Sequence, residues 1–207
     1  MKVYLSMLLF FILNLGFSQQ IPEFECILNV DKLPFSKSEI RVYKDHSIST
    51  GLELFRIYYD EDKKDWNAEF YQTVAKELKD KTIEVKIRRY DLKSYYNIEY
   101  IALQLLFSDI KYLPSDDVIK YKMEPKAKIL LEEEGFIIET TSSITTDGIH
   151  YYVQVADLNE FYEIKYSNPE NYLKKHPTID ELISFNEFLD IIKQHFNIFE
   201  DYKKRHP

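Results

Sequence analysis

Metal or nucleophilic chemistry would first be sought among the five histidines, the single cysteine and the acidic residues of this 207-residue chain. His46, His150, His176, His195 and His206 never stand at the i, i+4 spacing that sets two imidazoles on one helix face for zinc. Asp60, Asp62 and Asp65 look like the opening of a calcium loop. Counted from Asp60, however, Asp65 occupies the sixth position, where that loop needs glycine, and Tyr71 the twelfth, where it needs a bidentate glutamate. The acidic run is therefore read as a solvated turn, and no metal or cofactor is expected. A serine nucleophile would want a glycine-flanked elbow, and Ser142-Ser143 has no flanking glycine. Cys26 lies close to the expected mature N-terminus and is read as a small apolar core residue. Paired carboxylates for glycoside cleavage depend on spatial separation, and 35 acidic residues offer too many pairs to choose among. No catalytic residue is assigned.

The unusual side chains are aromatic, with 17 Tyr and 14 Phe. Tyr58, Tyr59, Trp66, Phe70 and Tyr71 fall on one expected hairpin, and Tyr151, Tyr152, Phe161, Tyr162 and Tyr166 on later strands. Such residues are ordinary strand formers. Tyrosine also offers a large rigid surface with a polar tip, which suits contact with partners. Tyr58, Trp66 and Tyr71 are the candidate binding residues, Tyr58 and Tyr71 being assigned to the wetter strand faces.

Composition narrows the function classes. With 27 Lys+Arg against 35 Asp+Glu the net charge is −8, which disfavours a phosphate-backbone binder and points to a basic partner rather than nucleic acid. Four glycines leave no glycine-rich phosphate cradle, and one cysteine leaves no intramolecular disulfide. A hydrophobic content of 45% is ample for a folded core.

At the start of the chain, Met1-Lys2 followed by the apolar run Val3–Phe17, with Gly16 and Ser18 two apart, has the form of a secretory signal peptide over 1–18, cleaved near Ser18/Gln19. The run is shorter than the ~20 residues of a membrane span, so no stable membrane insertion is expected after cleavage. Lipid attachment at Cys26 is not expected, because Ile21–Glu25 with two glutamates intervenes. In its Lys, Ile, Tyr and Asn richness and its Phe-Ser-Gln cleavage region, the chain resembles exported bacterial proteins of the Bacteroidota. Signal cleavage without lipid attachment implies a secreted or periplasmic location.

The elements follow from periodicity. Glu39–Tyr43 and Ile83–Arg88 alternate as strands with one wet face, and Leu52–Tyr59 with Trp66–Thr73 form a hairpin around the acidic turn. From Tyr96 to Leu113 the apolar residues Ile98, Ile101, Ala102, Leu105 and Leu106 recur at helical spacing, and Pro114 ends the run. Residues 115–134 read as short helix or loop, with Ser115-Asp116-Asp117 as a helix start. Phe136–Thr141, Ile149–Val155 and Phe161–Tyr166 are further strands, the first two joined through a turn at Asp147-Gly148. Thr178 and Glu181 have capping-box spacing ahead of a helix whose stripe includes Ile179, Leu182, Ile183, Leu189, Ile192 and Phe196.

The expected fold is α+β: an antiparallel β-sheet packed with two main helices, residues 19–207 forming one domain whose halves, 19–114 and 115–207, each run strands then helix. The expected function is a non-catalytic binding module for a protein or a cell-envelope polymer. The alternative is a small envelope-polymer hydrolase whose carboxylates the sequence does not single out.

Overall fold

The computed structural model describes residues 20–47, 51–78, 80–124, 126–132, 135–139 and 148–199. The expected signal peptide over 1–18 with its expected cleavage point, Ser142-Ser143, Asp147, His206 and the basic tail Lys203–Arg205 lie outside them. The fold is α+β, built on a six-stranded antiparallel sheet of order β4-β3-β2-β1-β7-β8. Its strands are β1 (Ser38–His46), β2 (Leu52–Asp60), β3 (Asp65–Glu77), β4 (Ile83–Asp91), β7 (Ile149–Asp157) and β8 (Glu160–Ser167). A separate two-stranded hairpin joins β5 (Lys128–Glu132) to β6 (Gly135–Glu139). The helices are α1 (Gln20–Ile27), α2 (Ile98–Leu106), α3 (Asp116–Met123), α4 (Pro169–Lys175) and α5 (Asp180–Phe196), with a 3₁₀ turn at Asp109–Tyr112. Among the described residues no helix is long and apolar enough to cross a membrane.

Strand composition follows from what covers each face. The central strands β1, β2 and β7 are buried on both sides over most of their length, so Leu52–Tyr59 reads as a dense apolar run rather than an alternating one. One sheet face carries Ile40, Val42, Phe55, Ile57, Phe70, Val153 and Val155 under α2 and α5. The opposite face carries Tyr43, Leu52, Leu54, Tyr71 and Tyr152 under α1, which seats Ile21 and Phe24 there and is followed by Leu28 and Val30. Four fully buried side chains of this kind contribute on the order of 6–12 kcal/mol as an upper estimate, comparable to the net stability of an ordinary domain.

The edges are treated differently. On β8 the outward amides of Lys165 and Ser167 donate to Ser115 Oγ at 3.1 Å and Asp116 Oδ2 at 2.6 Å, so the start of α3 closes that edge. On β4 every residue but Ile87 is exposed, and no strand lies outside it among the described residues.

Several expectations change. Phe136 and its neighbours pair with β5 rather than with β7, and β7 instead lies beside β1, joining strands of both halves in one sheet. Residues 115–134 hold a helix and a strand, α3 and β5. Thr178 does not cap α5: Ile179 occupies the N-cap without a side-chain bond, and Glu181 is held by Lys122. Cys26 is exposed, because the seated face of α1 is Ile21 and Phe24 and Cys26 falls off it.

Candidate functional site

Tyr58 and Tyr71 meet on the sheet face beneath α1, at a charged belt whose members occupy one row across all six strands. Asp91, Glu69, Arg56, Arg41, Gln154 and Glu163 are successive cross-strand partners from β4 to β8. Arg41 and Arg56 stand directly opposite each other, a pairing that costs energy unless an anion is shared. Glu39, wholly buried, supplies it: Oε1 accepts from Arg41 Nε and from Arg56 Nε at 2.6 Å each, Oε2 from Arg56 Nη2 at 3.0 Å and from the Ser36 amide at 2.8 Å.

Glu69 is the second shared anion. It accepts from Tyr71 Oη at 2.8 Å, Tyr58 Oη at 3.1 Å, Arg89 Nη2 at 2.7 Å and Arg56 Nη1 at 3.4 Å. Burial would push its carboxyl up, but the Tyr71 hydrogen bond and the charges of Arg56 and Arg89 outweigh this and hold it below the ordinary glutamate value. Both tyrosine hydroxyls are raised, first by burial and then by Glu69. Arg41 is closed off by Glu25 at 2.9 Å, the Leu33 carbonyl at 2.8 Å and the Phe35 ring at 3.8 Å. The Tyr58 ring lies 3.8 Å from the Arg56 guanidinium carbon.

This geometry disposes of one carboxylate pair. A glycosidase needs one carboxyl raised and protonated, with space for sugar and water between the two. Here Arg56 fills the space between Glu39 and Glu69, and Glu69 is held ionised. The belt is a structural brace. Tyr71 is buried rather than on a wetter face, whereas Tyr58 is half-buried. Trp66 points to the other side of the sheet, where it meets Tyr59 edge-on at 5.7 Å. The structure thus brings Tyr58 and Tyr71 together through Glu69 and leaves Trp66 apart.

A second row on the α1 side sets Asp45, His150 and Ser167 on three adjacent strands, with His150 Nδ1 2.9 Å from Ser167 Oγ. Burial, and then Lys165, lowers His150; burial raises Asp45. A serine triad needs its carboxylate on the second imidazole nitrogen, and Asp45 makes no hydrogen bond or ion pair with His150. Among the described residues no group of three or more His, Cys, Asp and Glu side chains is placed to hold a metal ion.

The outermost candidate lies on α2, which Asn97 caps by accepting from the Glu99 amide at 2.8 Å. Ile101, Ala102, Leu105 and Leu106 face the core. Tyr96, just ahead of the helix, and Tyr100, Leu103 and Phe107 recur at i, i+4, i+7 and i+11, opposite that core stripe, and are 62, 54, 41 and 82% exposed. Beside Phe107 a shallow depression of about 270 Å³ runs to α5, lined by Gln104, Ser108, Ser184, Glu187 and Ile191. Gln104 Oε1 is buried there without a hydrogen-bond partner. Tyr96 packs edge-on against His195 in the last turn of α5, ring centres 5.2 Å apart.

The residues the sequence reading passed over had signals. Arg56 is a charge within the dense apolar run Leu54–Tyr59, which a central strand tolerates only when it is paired. The α2 stripe has the spacing of its core stripe, shifted by half a turn. In comparisons with known proteins, no family model matches the chain, and no curated protein or solved structure matches it.

Proposed function

We propose that the chain is an exported, non-catalytic binding module that meets a protein partner through the outer face of α2. The observation that carries this reading is the aromatic stripe Tyr96, Tyr100, Leu103 and Phe107, exposed directly opposite the helix's core face. Isolated exposed apolar residues need no explanation, whereas a contiguous patch marks contact. The depression beside Phe107, about 270 Å³, is shallow and lies just below the ~300–1,000 Å³ of small-molecule sites, so contact falls mainly on the convex helix ridge. A protein therefore suits it better than an extended envelope polymer. The alternative of a small envelope-polymer hydrolase is less well supported, because the best-placed buried carboxylates, Glu39 and Glu69, are locked by Arg56.

The test is capture from envelope extract of the source cells, comparing the parent with Tyr100→Ala/Phe107→Ala and with Tyr58→Ala. Loss of a saturable partner in the α2 variant alone, with its melting temperature unchanged, is the expected result. Equal capture by the parent and the α2 variant, or no partner at any salt concentration, sinks the reading.

A further inference from the structure

The two edges of the main sheet are unequal. Ser115 and Asp116 close the β8 edge, whereas no strand lies outside β4 among the described residues. Which backbone groups of β4 are open follows from the bonds at the two ends of the β3–β4 ladder: Leu78 donates to Thr82 and Leu92 to Ala68, at 2.8 Å each. Hydrogen-bonded pairs recur at every second residue of an antiparallel ladder. Glu84, Lys86, Arg88 and Tyr90 therefore bond inward to β3, and Ile83, Val85, Ile87 and Arg89 direct their N–H and C=O groups out of the sheet. Such a row is a template for a further strand, and natural sheets blunt it with proline, a bulge or a cover. β4 holds no proline, and its register with β3 is unbroken from Ile83 to Asp91.

The side chains say which strand fits. Ile83, Val85 and Ile87 lie on the α1 side of the sheet, where Ile87 packs against the second core. Glu84 and Lys86 lie on the other side, exposed and ion-paired at 3.3 Å. We infer that β4 pairs antiparallel with β4 of a second copy of this chain, about a two-fold axis at Val85, joining two sheets into one. Val85 then faces the partner's Val85, Ile83 faces the partner's Ile87, and Glu84 faces the partner's Lys86. Because outward groups must meet outward groups, the pairing slides only in steps of two residues. One step sets Glu84 against Glu84 and the opposite step sets Lys86 against Lys86, so only the inferred register is free of like charge at its centre. A lysine on an open edge deters pairing; the glutamate two residues before it makes this strand complementary to itself, as an isologous contact requires. The outward residues supply about six main-chain hydrogen bonds, and the apolar row continues the second core across the axis. A contact confined to one strand edge is small, which places the dimer among weak, reversible ones. The inference is independent of the α2 face.

Sedimentation velocity on the protein as its cells produce it, from low micromolar to near-millimolar concentration, reads the association directly. The dimer fraction rises with concentration in the parent. Val85→Pro removes an outward amide and leaves the β3–β4 ladder its bonds, so dimerisation is lost while the protein stays folded. Because proline could still disturb the strand, two variants change only exposed side chains. Glu84→Lys and Lys86→Glu each set like charges across the axis, and each alone is expected to dimerise roughly tenfold more weakly. An equimolar mixture is expected to regain the parental association, since one copy then presents only basic and the other only acidic side chains at these two positions. In a Cys26→Ser background, Val85→Cys forms a disulfide between copies on oxidation and Ile83→Cys does not, because only residue 85 meets its own counterpart, at a Cα separation of about 5.5 Å. A parent that stays monomeric throughout overturns the inference and leaves the edge to a strand of another protein. A mixture no better than its components, or no cross-link through residue 85, overturns the register.

Discussion

Arg56 sits between two buried carboxylates and bonds to both, so its removal is not the loss of one ion pair. Arg56→Met leaves Glu39 and Glu69 without their shared cation in a site from which water is largely excluded. The expected cost is ~3–5 kcal/mol, read as a lower urea midpoint with an unchanged slope. Tyr71→Phe takes one hydrogen bond from the same anion and should cost ~1–3 kcal/mol, with no effect on partner capture. The belt also sets a pH dependence. Glu69 titrates lower in the folded chain than in the unfolded chain. Its contribution is therefore fully present above the unfolded glutamate value of about 4.3 and is lost as pH falls through the lowered folded value. Glu69→Gln should flatten the acid limb of a stability-against-pH profile, and an unchanged limb would contradict the assignment. None of these pairings was legible as a pairing. Glu39, Arg41 and Glu69 alternate with apolar neighbours just as solvent-facing residues do, and only α1 and the residues after it, lying over them, make that face an interior.

At the level of elements, the readable parts were those whose own period is strong. β1 to β4, β7, β8, α2 and α5 each announce themselves by a spacing of two or by threes and fours. α1 does not, because eight residues with two buried apolar anchors, Ile21 and Phe24, resemble a loop until the sheet beneath them exists. β5 did not either, since Lys-Ile-Leu-Leu-Glu suits helix and strand alike and its partner decides. The candidate site is legible only in part: Tyr58 and Tyr71 stand out for their chemistry, but Glu69, which joins them, alternates with apolar neighbours as a solvent-facing residue does. α1 offers the clearest test of an element's weight. Phe24 packs edge-on against Tyr152 at 5.2 Å and meets Tyr43 at 6.0 Å. Phe24→Ala should cost ~3–5 kcal/mol and expose the second core to a dye such as ANS, whereas Cys26→Ser, on the outer side of the same helix, should change the melting temperature little.

Across the whole molecule, stability rests on a sheet with two interiors, one apolar beneath α2 and α5, the other mixed apolar and ionic beneath α1. Neither interior is closed by neighbouring sequence. Tyr152 on β7 donates to the side chain of Gln20 in α1, and Lys44 on β1 donates to the Phe199 carbonyl at 3.0 Å, a separation of 155 residues. Sequence periodicity cannot report such closures, because it is a local property and these are fixed by which strands become neighbours. The placement of β7 next to β1 has a consequence for the order of events in a chain delivered end-first. The early strands can form a meander as they emerge, but the seat of α1 stays incomplete until β7 arrives, and the opposite face stays open until α5 does. A chain made from its N-terminus therefore closes both interiors only once β7 and α5 have been added.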